Sequence, residues 1–506
     1  MQSETSDFVV VGAGTAGSVV VRRLMDAGHT VTVIEAGPSD TREDISLPYP
    51  APTLFGSEVD WAVNTEPQPG ANDRVMYQPR GKTLGGSSAI NGLWYTRGDE
   101  ADYDAWAAGG ASGWAWRDVE PYFRKLESYD GAPDGTRGHD GPVHIRRHPA
   151  PDPLVSAFLD AAVQSGHPRN EDYNSGDSRG ASAGQHTIHN GRRVSAWRAY
   201  VAPVGDSPHL RVVTDALVAK VLVENGRATG VEYIRDGERR VVRATREVVL
   251  SAGSYNTPQL LMLSGIGPGE HLREHGIPVV VDLPGVGQNL RDHLKAEVVW
   301  ETTKPVPEPG ASGIEAQIVA DGAPHAPVQP DWQALFVSTA VSTLTESAPE
   351  HGFTALALLL HPHGHGQLRL RSADPTDAPV VDPGVLSDPR DLESLVDQIE
   401  ALRAVGRQPA LAEWVASEVY PGPARTSRED LRAYVRQVVD SQHQVGTARI
   451  GTDEAAVVDP RLRVRGVAGL RVADASVMPL PPAGNTAGAV MMIGERAADL
   501  ILEQHS

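Results

Sequence analysis

The chain has 506 residues, a formal charge of −20 and no cysteine. That length predicts two or more domains, and the acidity argues against a nucleic-acid partner or an anionic membrane, because nothing would neutralise phosphates. The missing cysteines exclude disulfides, thiolate metal sites and cysteine nucleophiles and point to the cytoplasm, while the polar "MQSETSDF" and the lack of any bilayer-length apolar run predict neither a signal peptide nor a membrane span.

The first elements lie in residues 7–37, "DFVVVGAGTAGSVVVRRLMDAGHTVTVIEAG". The β-branched run Phe8 to Val11 predicts a buried parallel strand, "SVVVRRLMDAG" a helix ending at Gly28, and "TVTVIEAG" a second strand ending at Glu35. Between strand and helix, Gly12, Gly14 and Gly17 have the G-x-G-x-x-G spacing. In a strand–turn–helix setting Gly12 makes the tight turn, Gly14 lets the backbone approach a pyrophosphate and Gly17 lets the helix pack on the sheet. The helix N-terminus offers free N–H groups to the anion, and Glu35 can accept hydrogen bonds from ribose hydroxyls. An acid at this position disfavours a 2′-phosphate, so FAD or NAD is expected rather than NADP.

Small residues recur at 79–98, "PRGKTLGGSSAINGLWYTRG", where Gly85, Gly86, Ser87 and Ser88 form a loop that can lie flat against a planar ligand. Further on come "VVLSAGSYNTPQLLMLSGIGP" at 248–268 and "LPGVGQNLRDHL" at 283–294. "KPVPEPGASG" at 304–313 reads as a loop, a candidate part of an entrance lid. "TALALLLH" and "QLRLRS" read as strands on either side of the turn "HPHGHG". His361, His363 and His365 in that turn have alternate spacing, but no acid or cysteine nearby in the sequence completes a metal shell, so no metal is expected. His443 sits in "DSQHQVGTARIG", and the stretch 486–503 has helical periodicity with Asn485 before it in N-cap position.

Together with "DWAVNTEPQPG" at 60–70, these strings, in this order, resemble the glucose–methanol–choline (GMC) oxidoreductase family over residues 8–502, least clearly at 300–435. The resemblance implies an α/β fold: a Rossmann-like FAD-binding domain (1–155, 200–300 and 440–506) and a discontinuous substrate domain with a mainly antiparallel sheet over the flavin (156–199 and 301–439). It implies FAD contacts from Gly12, Gly14, Thr15, Ala16, Glu35 and Ala36 in the nucleotide turn, and from Trp61 in the crossing segment. Ser87, Asn91, Gly92 and Leu93 match the loop beside the pyrophosphate and flavin. Val218 matches the residue that reads the adenine edge, Asp474 and Ala475 the ribityl neighbours, and Asn485 and Thr486 those at the pyrimidine end. Some relatives attach FAD through a histidine; here that position matches Ile90, so non-covalent FAD is expected.

The family's pair facing flavin N5 matches His443 and Asn485. The resemblance thus implies oxidation of a primary alcohol to the aldehyde, with hydride transfer to the flavin, His443 as base and Asn485 orienting the oxygen. Such a base is expected to titrate near working pH. Oxygen, a quinone or a dye would take the electrons. Two positions depart from the pattern: Gln444 replaces the usual proline, and "GTARIG" stands where "GTCRMG" is usual. The substrate reading leans to hydroxymethyl-aromatic alcohols, pyridoxine-type included. Choline or sugar dehydrogenation and cyanohydrin cleavage stay open as alternatives, as does a flavoprotein used only for binding. A choline site needs an aromatic cage and an acid, for which Trp94, Trp332, Phe336 and Trp414 are the candidates.

Overall fold

A computed structural model describes residues 4–49, 52–133, 135–148, 151–344 and 348–505. Two large sheets organise them. The first runs in the order 210–213, 31–34, 4–11, 238–250, 227–235, 217–224, with Leu470–Val472 also on the long strand Glu238–Leu250. Its centre is parallel and doubly covered, which is why Phe8, Val9 and Val10 are fully buried on both faces. The helix Thr15–Asp26 follows the first strand. A Cβ on Gly17 would stand 2.0 Å from the Gly12 carbonyl oxygen, so only glycine lets this helix start so close to the strand end.

Beside it packs the C-terminal helix, Ala487–His505. Gly494 makes the approach possible, since a Cβ there would meet Val19 Cβ at 2.8 Å. The N-terminal ends of both helices therefore face the same cavity.

The second sheet runs 415–420, 294–302, 352–359, 332–337, 314–320, 180–183, with Asp440–Ser441 added to the strand Leu294–Thr302. Every pairing in it is antiparallel, as expected. One face is apolar core: Phe353, Ala355 and Ala357 pack with Ala334 and Phe336 and with the helices Pro153–Gln164 and Pro389–Gly406. By period-two alternation, Leu356 and Leu358 point the other way, toward the cavity.

Two expectations change here. The strand Leu294–Thr302 crosses the boundary expected at 300 and pairs wholly in the second sheet. "QLRLRS" does not join that sheet either: Gln367–Arg369 pairs with Val380–Asp382 in a separate ribbon. Pro362, Gly364 and Gly366 end the preceding run, and the chain turns to bond Gly287 and Leu290 instead. Among the described residues no helix is long and apolar enough to cross a membrane.

Candidate active site

A cavity of about 780 Å³ opens between the two sheets, and every residue expected to contact FAD or to act in catalysis lines it. At one end are Gly12, Gly14, Thr15, Ala16, Glu35 and Ala36. No side chain caps the helix Thr15–Asp26, so its first N–H groups are left to whatever occupies the cavity. Gly14 lines the cavity, and a Cβ there would make only ordinary contact with the protein, the Ser251 carbonyl oxygen lying 3.8 Å away. Glu35 is buried and accepts from Ala13 N and Gly37 N, both at 3.0 Å. Burial nevertheless pushes its carboxyl up to about 7. Val218, Asp474 and Ala475 lie along the same wall. Asp474 is spent on local donors, taking Gly253 N and Thr257 Oγ1 on one oxygen and Ser476 on the other.

Ser87, Asn91, Gly92 and Leu93 form the opposite lip, with Trp61 nearby. Arg193, which sequence reasoning missed, holds this lip: its buried guanidinium donates to the Asn91 carbonyl (2.6 Å) and to Asn91 Oδ1 (2.9 Å). Burial lowers Arg193 to about 9. Leu93 has φ +64°, a left-handed conformation that stores strain at the cavity wall. Uncapped amides, a glycine wall and a buried acid fit a dinucleotide that ends in a flat ring system.

At the other end lie His443, Asn485 and Thr486. Asn485 Nδ2 is 3.2 Å from His443 Nε2. The asparagine does not act as the helix cap expected of it: the helix begins at Ala487, and Asn485 Oδ1 has no partner among the described residues. On its other side, His443 Nδ1 lies 3.0 Å from Nδ1 of His293. The two rings cross at 82°. Both are driven toward the neutral form. Burial, then Arg80 and Lys295, hold His443 at about 3. Burial, then His443 and the cation His361, lower His293 well below the ordinary histidine value. The expected base with a pKa near working pH is therefore corrected: His443 is a neutral imidazole throughout the physiological range.

The neighbour of His293 grips the same loop. Asp292 accepts from His443 N at 2.6 Å and from the Gln444 side chain, which also donates to Gln78. Gln444, standing where a proline would stiffen the loop, fixes it by hydrogen bonds. Nothing in the periodicity pointed to Asp292 and His293; their signal was the acid–histidine pair inside "NLRDHL".

The histidine turn does other work. His361 is buried between Asp102 (2.9 Å) and Asp331 (3.4 Å), acids remote in sequence that the reading of a turn without nearby acids did not foresee. They raise it to about 9 against the desolvation that lowers it. Asp102 also accepts from Ala483 N at 2.6 Å, which anchors the segment leading to Asn485. Among the described residues no cluster of three potential metal ligands occurs. Of the aromatic candidates, Trp332, Phe336 and Trp414 belong to the second core and only Trp94 reaches the cavity. Residues 304–313 do not line it.

Profiles of the two parts of the GMC oxidoreductase family match residues 6–295 and 362–494. The chain is 40% identical to an oxygen-dependent choline dehydrogenase of Rhizobium rhizogenes, over 98% of its length and 95% of the relative's. Its fold superposes on pyridoxine 4-oxidase from Mesorbium loti with a TM-score of 0.94, at 32% identity and 99% coverage of both chains. Formate oxidase of Aspergillus oryzae RIB40 follows at 0.91, with 28% identity and 100% and 99% coverage. A turn built for a dinucleotide and a neutral histidine held beside an amide thus have their explanation: the chain belongs to the GMC oxidoreductase family, FAD-dependent enzymes that act on alcohol donors.

Proposed function

We propose that this enzyme oxidises a primary alcohol to the aldehyde with His443 as the base, and that oxygen is its electron acceptor. The observation that carries the reading is the 3.2 Å contact of Asn485 Nδ2 with His443 Nε2 on the cavity wall. An amide N–H can only donate, so the nitrogen it faces holds a lone pair. That nitrogen can take the hydroxyl proton, and Asn485 can turn the same N–H toward the substrate oxygen as negative charge develops there. FAD held in this cavity would supply the acceptor for the hydride that leaves the carbon. Oxygen is proposed because relatives are named as oxygen-dependent enzymes and oxidases.

The cofactor roles follow the geometry. Gly12, Gly14, Thr15 and Ala16 hold the pyrophosphate, and Glu35 the ribose. Val218 reads the adenine, the 87–93 lip lies along the flavin, and the N-terminus of the C-terminal helix favours the charge of the reduced ring. Non-covalent attachment is supported by Ile90 on the wall and by His293 and His443 being the only lining histidines among the described residues. Acid precipitation should release all the FAD into the supernatant. Division of labour follows the two sheets, with cofactor on the first and substrate on the second.

The test is anaerobic mixing with a panel of primary alcohols, hydroxymethyl-aromatics included, followed by a peroxide assay in air. Bleaching of the flavin band and one peroxide per aldehyde support the reading. A flavin that stays oxidised with every alcohol while a cyanohydrin is cleaved overturns it.

A further inference from the structure

Similarity to choline dehydrogenases invites choline as the substrate, but the wall beside His443 has the wrong sign. We propose that this site selects primary alcohols without a positive charge, and that Lys295 is the specificity-determining residue that enforces it. The proposal rests on the reading of this cavity as an alcohol site.

A quaternary ammonium is recognised by several aromatic faces and a carboxylate. The face the second sheet turns to the cavity is aliphatic instead: Ile314, Leu335, Leu356 and Leu358, with Trp94 beside them. Leu335 and Leu356 are directly paired across neighbouring strands, so the wall is continuous. The other aromatic faces are already taken. Lys82 sits 4.8 Å over Trp61, and Arg80 5.2 Å over Tyr255. Phe55 lies at the surface, 41% exposed.

The charges tell the same story. Lys295 lines the cavity two residues after His293, paired across the sheet with Leu358. Arg80 lines it from the other side, its guanidinium 3.0 Å from the carbonyl of Gln442, the residue before His443. Both cations act on the His443 ring, disfavouring a positive charge there. Lys295 forms an ion pair with Asp440 at 3.1 Å, but the wall itself presents the ammonium and not its partner: among the described residues neither Asp440 nor Asp292 lines the cavity. Of the acids that do, Glu35 and Asp474 are held by amides at the nucleotide end, and Asp377 lies on an exposed loop bonded to Ser372. A trimethylammonium group held near the base would meet Arg80 and a Lys295 whose partner Asp440 lies off the wall, a net repulsion in a partly desolvated space that costs it about tenfold in binding.

The test uses matched pairs that differ only in charge: choline against 3,3-dimethylbutan-1-ol, and 4-(trimethylammonio)benzyl alcohol against 4-tert-butylbenzyl alcohol. Stopped-flow flavin reduction in the FAD-loaded enzyme gives the rate over Kd for each. The neutral member of each reacting pair should be favoured about tenfold. Lys295→Gln should narrow that ratio, and Lys295→Glu should narrow it further or reverse it, in variants that retain stoichiometric FAD. A cation that matches or beats its neutral twin in wild type overturns the proposal and leaves alcohol oxidation standing. So does a ratio that Lys295→Glu fails to move. If no alcohol in these pairs or in the wider panel reduces the flavin, the alcohol reading itself falls, and this proposal with it.

Discussion

His443 and His293 meet nitrogen to nitrogen, Nδ1 to Nδ1, at 3.0 Å. Two neutral imidazoles in that geometry share one proton, so one ring donates and the other accepts. The amide of Asn485 on the far side of His443 sets the direction, because its N–H requires an acceptor at Nε2. The Pro482 carbonyl favours a proton on the His293 ring, although no well-aligned hydrogen bond forms there. His443 therefore carries its proton on Nδ1 and keeps Nε2 free. His293 is a positioning residue. His293→Ala should slow flavin reduction by roughly tenfold to a hundredfold with FAD still bound and Kd for substrate little changed, and His293→Gln, whose carbonyl can accept the Nδ1 proton, should recover part of the loss. A rate unchanged in the alanine variant would show that His443 needs no such partner.

Removing the base itself should be more severe. His443→Ala should retain FAD and its visible spectrum while reduction by the best alcohol falls by roughly two to four orders of magnitude. Stopped-flow absorbance under anaerobic conditions measures it. A variant within threefold of wild type would remove His443 from the chemistry.

The pH profile should lack a histidine limb. His443 stays neutral down to about 3. Asp292, raised by burial to about 6, is the group that titrates nearby. Below that pH it gains a proton and loses its strength as acceptor for His443 N and Gln444. The reduction rate should be level above pH 6 and fall below it, and Asp292→Asn should be slower but flat. A limb that persists in that variant would assign it to another group.

Much of this site could be read from the sequence because its parts are local. Gly12, Gly14 and Gly17 are constrained by one turn, and Glu35 by the end of the next strand. The partnerships that tune the site are non-local and stayed invisible. Asp292 meets His443 across 151 residues, and His361 meets Asp102 across 259. The reading of His361, His363 and His365 as a turn without acids missed Asp102 and Asp331 for that reason: spacing along a chain says nothing about what distant segments bring alongside. Substrate-side strands were legible as strands, as "TALALLLH" was, but not which face of them would meet the cavity.

FAD affinity should depend on Glu35. Before FAD binds, its carboxyl titrates near 7. Ribose hydroxyls donate to the ionised form and favour it, so affinity should rise as pH increases through 7 and weaken up to tenfold per unit below it. Flavin fluorescence quenching on adding apoenzyme follows this directly. Glu35→Gln should bind more weakly, with a flat profile.

The His361 cation makes an alkaline prediction. Its folded pKa, about 9, lies above the ordinary 6.5, so its contribution to stability is complete below pH 6.5 and is lost as pH rises through 9. The group is fully buried, and the loss amounts to about 3 kcal/mol. Thermal midpoints at pH 6.5 and 9.5 should differ in wild type, and His361→Gln should be less stable at pH 6.5 with a smaller difference between the two.

The aliphatic wall belongs to a sheet whose reverse face is sealed by its own core; the base sits on the loop after Asp440–Ser441, off the wall strands, and the amide and the nucleotide turn hang on other elements. Chemistry and recognition can then vary independently. Substitutions at Ile314, Leu335, Leu356 and Leu358 reshape the chamber without touching the proton path; alternation keeps the three leucines out of the packing behind them, and the register shift before Ala316 does the same for Ile314. Four positions on three neighbouring strands make a small combinatorial library, one in which new alcohol preferences can be selected while the reacting groups stay where they are.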